Sequence, residues 1–241
     1  MSRFVLITRS PADCAELRDL LEPCGMTLRP YPVLRLEEVN DEDGWRSVVA
    51  VELSREAGDR LVFASPRAPK LFVDRCREYE ADHLLELAAA AVGPSTARAA
   101  DEAGAPVDLV GPGNGAGLAE LIIENTNAPA TVVFACGRER RPELPASLEA
   151  AGYRVLPVEV YRMRPTPPRE LPPLGPSLEA VVLTSPRSAR LYLDGVGGLP
   201  LPCQHWALGP TTRDAAAGMG IECRIPEHPT MKSLAEELCK T

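Results

Sequence analysis

Six short segments of this sequence combine small residues, hydroxyl side chains and arginines, and each accompanies an apolar run or a helical pattern. They are Arg9-Ser10, Ser65-Pro66-Arg67, Gly93-Pro94-Ser95-Thr96, Cys136-Gly137-Arg138, Ser185-Pro186-Arg187 and Gly209-Pro210-Thr211-Thr212. Small residues leave backbone N–H groups accessible, and a helix N-terminus carries a partial positive charge. For any one Ser or Thr, capping a helix is the more common role. The six segments together nevertheless predict a receptor for an anion.

Arg138, from one of these segments, and Tyr161, outside them, have side chains that could take part in chemistry. Arg138 starts a basic run with Arg140 and Arg141, which could face a ligand or be the solvated start of a helix. Tyr161 lies in a β-branched, extended segment. It could be a packing aromatic or a phenol that donates a hydrogen bond or a proton to a ligand. We find no Ser-His-Asp or Cys-His arrangement and no carboxylate pair in the sequence.

A glycine-rich segment at residues 111–117 precedes a helical pattern and invites comparison with nucleotide-binding loops. Its spacing does not match Gly-x-Gly-x-x-Gly, and Pro112 removes an N–H group that a phosphate would use. A Gly-Lys-Ser/Thr motif is also missing from the sequence. We therefore interpret this segment as a flexible surface loop, which argues against a nucleotide-dependent enzyme.

A long internal repeat organises the elements that carry these segments. Residues 61–68 (Leu-Val-Phe-Ala-Ser-Pro-Arg-Ala) and 91–96 (Ala-Val-Gly-Pro-Ser-Thr) are matched by residues 181–188 and 207–212 in the same order. The opening Phe4–Gly25 is similar to residues 132–152, since each is an apolar strand followed by a helix that ends at glycine. Such a repeat predicts two related structural units.

The order of the repeats predicts an α/β fold in which one domain is inserted into the other. We expect two similar domains, each a parallel sheet flanked by helices. The predicted discontinuous domain comprises residues 1–33 and 164–241, and the inserted domain comprises residues 37–157. Extended segments at 30–37 and 157–164 would form a two-stranded linker. A proline-rich connector follows at residues 164–176, and we expect the ligand site between the domains.

Composition excludes several classes of protein. Hydrophobic residues make up 45% of the 241 residues and charged residues 25%, as in ordinary globular proteins. A net charge of −8 and an aromatic content of 5% argue against nucleic-acid binding. No apolar run approaches the roughly 20 residues of a membrane span, and the first residues do not form a signal peptide. We therefore expect a cytoplasmic monomer that binds neither nucleic acid nor membrane.

Cysteine and histidine residues indicate neither a disulfide framework nor a metal site. The seven cysteines are scattered and never form a Cys-x-x-Cys pair, and the three histidines are isolated. We therefore predict free thiols, no metal and no organic cofactor.

Taken in order, the motifs resemble those of the uroporphyrinogen-III synthase family along essentially the whole chain. The matching segments are residues 5–9, 63–68, 91–97, 134–138, 160–162, 183–189 and 208–212. The resemblance implies two α/β domains joined by a two-stranded linker, and an enzyme without metal or organic cofactor. It implies a lyase of heme and porphyrin biosynthesis, which converts the linear tetrapyrrole hydroxymethylbilane into uroporphyrinogen III with loss of water and inversion of ring D.

The resemblance also implies roles for individual residues. Tyr161 matches the tyrosine proposed as the acid near the leaving hydroxyl group. Four hydroxyl residues fall on positions that look like substrate contacts in the family: Ser65, Thr96, Ser185 and Thr212. We add Arg9, Arg138 and Thr211 as predicted substrate-binding residues. The alternative to an enzyme is a non-catalytic hinged module that senses an anionic small molecule, and the product formed from hydroxymethylbilane separates the two hypotheses.

Overall fold

The computed structural model describes residues 3–175 and 178–240. In this part of the chain the strands are β1 (Arg3–Ile7), β2 (Met26–Pro30), β3 (Leu34–Glu38), β4 (Arg60–Phe63), β5 (Ala88–Ala91), β6 (Val107–Val110), β7 (Thr131–Gly137), β8 (Arg154–Pro165), β9 (Leu178–Leu183) and β10 (Gln204–Ala207). The helices are α1 (Ala15–Leu21), α2 (Glu42–Val49), α3 (Ala68–Glu78), α4 (Pro94–Ala103), α5 (Gly115–Asn125), α6 (Glu143–Ala150), α7 (Pro186–Gly195), α8 (Pro210–Ala217) and α9 (Met231–Cys239).

The chain divides into two compact units. Unit 1 comprises Met1–Arg35 and Arg164–Thr241, and unit 2 comprises Leu36–Met163. In sequence, unit 2 therefore interrupts unit 1, and strands β3 and β8 each run across one of the two division points. The proline-rich connector contains a short 3-10 turn at Pro168–Glu170, while its last residue, Pro176, lies outside the described residues.

The two sheets contain the same strand order. One sheet has the order β10-β9-β1-β2, and its neighbouring strands are parallel. The other has the order β3-β8-β7-β4-β5-β6, in which β8 to β6 are parallel. Its central run β5-β4-β7-β8 corresponds strand by strand to β10-β9-β1-β2. The correspondence is the one that the repeat predicts, and the predicted α/β fold class is confirmed.

Helices on both faces of each sheet explain why the strands are continuous apolar runs. In β1, Val5 and Ile7 belong to the core cluster that contains helix α1, whereas Leu6 belongs to the cluster of helix α7. In β4, Leu61 and Phe63 face the core on one side of the sheet, and Val62 faces the core on the other. Alternate residues of a strand point to opposite faces, so both sets must be apolar when both faces are covered.

The three Ser-Pro pairs begin their helices in three different ways. Ser185 caps α7, and its Oγ accepts a hydrogen bond from Ser188 N at 3.1 Å while Ser188 Oγ accepts one from Ser185 N at 2.9 Å. Ala68 stands at the position of Ser188 in the other repeat and has no hydroxyl group to accept from Ser65 N. Ser65 Oγ accepts from Arg67 N at 3.3 Å. Ser10 takes the N-cap position of the 3-10 helix Pro11–Cys14, but its Oγ donates to Asp13 Oδ2 instead of accepting a backbone hydrogen bond.

A disulfide contradicts the prediction that all seven cysteines are free thiols. Cys24 and Cys239 are bonded, with their Cα atoms 5.8 Å apart. Cys24 follows α1 and Cys239 ends α9, and these helices pack against each other, which brings together two cysteines that are 215 residues apart in sequence. Cys14, Cys76, Cys136, Cys203 and Cys223 are free.

A buried polar pair in unit 1 gives the fold a pH-sensitive element. Tyr192 Oη lies 2.9 Å from His205 Nε2 and accepts a hydrogen bond from Leu201 N at 3.2 Å. His205 Nδ1 lies 3.0 Å from the carbonyl oxygen of Cys203, which can only accept, so Nδ1 carries the proton and Nε2 accepts from the tyrosine hydroxyl. Burial lowers the pKa of His205 below its ordinary value of 6.5.

We expect the free energy of unfolding to decrease as the pH falls from 6.5 through the lower folded-state pKa of His205. The unfolded state binds this proton first, so the neutral pair stabilises the protein fully only above the unfolded pKa. Urea unfolding at pH values between 5 and 8 measures the slope. His205→Asn should flatten the slope, whereas His228→Gln, at an exposed histidine of the same unit, should not. An equal slope in the wild type and the His205 variant would contradict the assignment.

Candidate functional site

The carboxyl ends of neighbouring parallel strands bring the predicted residues of unit 1 to one edge of its sheet. Arg9 follows β1, Ser185 follows β9, and Thr211 and Thr212 follow β10, and these three strands are adjacent. Arg9 is half-buried and Thr211 is exposed, while Thr212 is 6% exposed in the first turn of α8. Parallel α/β sheets bind ligands at this edge; unit 1 places four of the eight predicted residues there, of which Thr212 is buried.

Unit 2 contains a cavity of about 430 Å³ at the corresponding edge of its own sheet. Its wall contains the segments that follow β4 and β5, the end of β7, one side chain of β8 and the loop before α5. Among the predicted residues, Ser65 and Tyr161 line the cavity together, whereas Thr96 and Arg138 are not part of its wall. We call this cavity the unit 2 pocket.

Tyr161 can lie in the wall of the unit 2 pocket because Gly137, the residue beneath its ring, has no side chain. The two residues are paired in register between β7 and β8, at a position where the register shifts. A Cβ atom at Gly137 would lie 2.7 Å from Tyr161 Cζ and 3.0 Å from Tyr161 Oη. The tyrosine ring therefore lies directly on the glycine backbone, and the residue is 9% exposed. No described residue forms a hydrogen bond with its hydroxyl group, which leaves that group available to a ligand.

Arg138 and Arg140 share one carboxylate in a second depression of unit 2, which Arg138, Arg140 and Glu159 line and which shares Arg140 with the unit 2 pocket. Arg138 Nε donates to Glu159 Oε2 and Arg140 Nη1 donates to Glu159 Oε1, each at 2.8 Å. Burial would raise the pKa of Glu159, but the hydrogen bonds from both arginines outweigh it and hold the pKa below the ordinary value. The sequence left open whether this basic run faces a ligand or solvent. In the structure Arg140 lines the pocket, and the Arg138 side chain is half-exposed.

Thr96 occupies a different environment from the one expected of a substrate contact. It lies in the first turn of α4, is 1% exposed, and its Oγ1 is buried without a hydrogen-bond partner in the described part of the chain. Its hydroxyl group thus faces the protein interior. Ser185, which was also predicted from the sequence to contact the substrate, uses its Oγ to cap α7.

Sequence reasoning missed the loop before α5 as part of the site. Gly113, Asn114, Gly115 and Ala116 line the unit 2 pocket, and Asn114 Oδ1 caps α5 by accepting from Gly117 N at 2.8 Å. The loop also packs closely on the preceding turn, since a Cβ atom at Gly93 would lie 3.3 Å from Gly113 Cα. The sequence did contain an indication of this role, because small residues before a helix are the feature by which the six anion-binding segments were predicted.

Cys136 also lines the unit 2 pocket but has no nucleophilic character. Burial raises the pKa of its thiol to about 12, and its Sγ lies 3.7 Å from the carbonyl oxygen of Val158. The thiol is therefore protonated at neutral pH and acts as a small apolar residue.

Neither a metal-binding cluster nor a membrane-spanning helix is found in residues 3–175 and 178–240. No group of three or more His, Cys, Asp or Glu residues in these ranges is placed to hold a metal ion. None of the helices in the same ranges is long and apolar enough to span a bilayer.

Comparisons with known proteins agree on one family. The sequence profile described as uroporphyrinogen-III synthase HemD matches residues 15–236. A putative uroporphyrinogen-III synthase from Methanothermobacter thermautotrophicus is 28% identical over 246 residues, which is 96% of this chain and 96% of that protein.

Two solved structures show the same fold at low sequence identity. The uroporphyrinogen-III synthetase of Helicobacter pylori has a TM-score of 0.64 and 17% identity, over 100% of this chain and 99% of its own. A mutant uroporphyrinogen III synthase of Thermus thermophilus has a TM-score of 0.57 and 19% identity, over 100% of this chain and 98% of its own. At these identities the structures support the fold, and the profile match supports the family.

Proposed function

Because this chain belongs to the uroporphyrinogen-III synthase family, we propose that it converts hydroxymethylbilane into uroporphyrinogen III, as a lyase of tetrapyrrole biosynthesis. The observation that carries the proposal is the profile match over residues 15–236. The pocket at the carboxyl edge of the unit 2 sheet, with Tyr161 and Ser65 in its wall, supports it.

The proposed reaction needs control of geometry more than strong catalytic groups. Loss of the hydroxyl group on ring A as water leaves a reactive azafulvene. Ring D attacks it through its substituted carbon, and the resulting spiro intermediate fragments and closes again with ring D inverted. The free bilane can close without inversion, so the protein must hold a conformation from which only the spiro route is accessible.

In this proposal Tyr161 is the acid that assists the departing hydroxyl group. A phenol donates a proton or a hydrogen bond without being ionised at neutral pH, which suits a leaving group that becomes water. The hydroxyl group of Tyr161 at the pocket wall, to which no described residue forms a hydrogen bond, is consistent with this role.

Apart from Thr96, the remaining predicted residues are proposed to bind the eight carboxylates of the substrate. Unit 1 would contribute Arg9, Ser185, Thr211 and Thr212, and unit 2 would contribute Ser65 and Arg138, whereas Thr96, whose hydroxyl group is buried, would not contact the substrate in this conformation. The chain has a net charge of −8, so overall attraction cannot bind a polyanion. Local donors, namely backbone N–H groups at helix N-termini, hydroxyl groups and arginines, must therefore provide the binding energy.

Incubation of the purified protein with hydroxymethylbilane tests the proposed function. The products are oxidised to uroporphyrins, and the type I and type III isomers are separated by chromatography. The proposal predicts type III at a rate proportional to protein concentration. Formation of the type I isomer alone, at the rate of the protein-free reaction, would refute it.

Gly137→Ala should lower kcat for uroporphyrinogen III formation by about tenfold, because the new methyl group displaces the Tyr161 ring from its position in the wall. A steady-state assay of the variant measures the effect. Gly137→Ala combined with Tyr161→Phe should be no slower than Tyr161→Phe alone, since both changes act through one hydroxyl group. Additive losses would show that Gly137 does not act through Tyr161.

A further inference from the structure

We infer that Glu159 is a positioning residue that holds Arg138 and Arg140 as a paired receptor for one substrate carboxylate. The inference rests on the proposed function, which supplies a polycarboxylate as substrate. We call the three residues the Glu159 clamp.

The geometry of the clamp leaves most of its donors unused. Each oxygen of Glu159 takes one arginine, through Arg138 Nε and Arg140 Nη1, both at 2.8 Å. A guanidinium group has five N–H donors in a rigid fork. In the described part of the chain, neither guanidinium forms another hydrogen bond. Glu159 therefore fixes the orientation of both forks while their remaining donors stay open to a second anion.

The position of Glu159 is itself fixed by the fold. Its side chain is 20% exposed, and its backbone N donates to Asp41 Oδ2 at 2.9 Å. Asp41 caps helix α2, where its Oδ1 accepts from Gly44 N at 3.1 Å. The carboxylate of Glu159 thus projects from a strand that is tied to a helix, whereas Arg138 and Arg140 lie on the irregular segment after β7. The strand holds the loop side chains in place.

Net charge around the pocket cannot explain recognition of a carboxylate. Three arginines, Arg138, Arg140 and Arg141, are outnumbered by the surrounding acidic residues, which are Asp41, Glu139, Glu143, Glu149 and Glu159. The carboxylate of Glu139 is hydrogen-bonded to the backbone, since its Oε2 accepts from Met163 N at 3.1 Å. Because acidic residues are in excess, oriented donors are what favours a carboxylate at this place.

Two single substitutions of carboxylates give opposite expectations under the clamp and under simple charge attraction. Glu143→Gln removes one negative charge from the wall of the unit 2 pocket, and Glu159→Gln removes one next to Arg140, which lines the same pocket. Charge attraction predicts that each variant binds a polyanion more tightly. The clamp predicts that Glu159→Gln raises KM for hydroxymethylbilane by about tenfold with kcat little changed, because an oriented arginine pair is lost. It predicts an equal or lower KM for Glu143→Gln.

Steady-state kinetics on hydroxymethylbilane and fluorescence anisotropy of uroporphyrin III binding test the clamp on the same preparations. Weaker binding in both assays for Glu159→Gln, with no weakening for Glu143→Gln, supports it. Unchanged or tighter binding by Glu159→Gln overturns it, even where the wild type forms the type III isomer. If the wild type forms no type III isomer, the proposed function fails, and anisotropy still decides whether Glu159 orients an anion receptor.

A second variant keeps the inference falsifiable if Glu159→Gln does not fold. Arg140→Lys retains the charge but replaces the fork by a single ammonium group. The clamp predicts a severalfold rise in KM and weaker anisotropy for this variant. Wild-type values of both quantities would overturn the inference.

Discussion

Tyr161→Phe should lower kcat for uroporphyrinogen III formation by about 100-fold while KM changes little. Proton donation by a positioned side chain contributes roughly 10²- to 10⁴-fold to a rate, and the phenylalanine ring still fills the space above Gly137. The loss is measured as the initial rate of type III isomer formation at saturating hydroxymethylbilane.

The matched control for this substitution is Tyr79→Phe. The Tyr79 hydroxyl donates to Asn40 Oδ1 at 2.8 Å and is not part of the pocket wall, so its removal should leave the rate unchanged. Wild-type turnover by Tyr161→Phe, with the fold intact, would remove Tyr161 from the proposed role of acid. A similar loss in both variants would point to a general effect of the substitution.

Loss of the disulfide should lower the free energy of unfolding by about 2–5 kcal/mol, the usual range for a native disulfide. Cys24 and Cys239 are 215 residues apart in sequence, so the bond closes a long loop and restricts the unfolded chain strongly. Thermal and urea unfolding of Cys24→Ser against the wild type, both without reductant, measure the difference.

Reductant provides the control for the disulfide prediction. Dithiothreitol should destabilise the wild type to the level of Cys24→Ser and should leave Cys24→Ser itself unchanged. Thiol titration of the denatured, unreduced wild type should find five free thiols, matching the free cysteines of the structure. Seven titratable thiols, or equal stability of the two proteins, would contradict the bond.

The repeat made the architecture predictable because it constrains topology. Segments 61–96 and 181–212 share their order and spacing, and they became equivalent pairs of neighbouring strands, β4 with β5 and β9 with β10. Buried parallel strands must be apolar on both faces, so their positions could be recognised from continuous apolar runs. The order of the repeats also predicted an inserted unit.

Contacts that depend on a single neighbouring residue could not be predicted in the same way. Ser65 and Ser185 have the same Ser-Pro-Arg context, yet only Ser185 has a serine three residues later to complete the cap. The pairing of Cys24 with Cys239 depends on packing of the first helix on the last, which spacing does not reveal. The sequence did not indicate that Glu159 binds two arginines, because these partners lie 19 and 21 residues away.

The carboxyl edges of the sheets could be predicted from the sequence, whereas the set of residues that share a pocket could not. Small residues and hydroxyls at strand ends indicated the carboxyl edges, and Ser65 and Tyr161 both line the pocket of unit 2. The loop at 113–116 was excluded as a nucleotide site on its motif, and its place in the pocket wall follows from the position of β6 next to β5. The order of the strands in the sheet decides which loops share a pocket, and a local motif carries no information about that order.

The isomer composition formed at increasing protein concentration shows whether this protein directs the inversion of ring D. Hydroxymethylbilane closes to the type I isomer without a catalyst, and the two routes compete for the same substrate. We expect the type III fraction to rise towards completeness as the protein is titrated, while the type I fraction falls. A type III fraction that stays at the protein-free level, at every concentration of folded protein, would contradict this expectation.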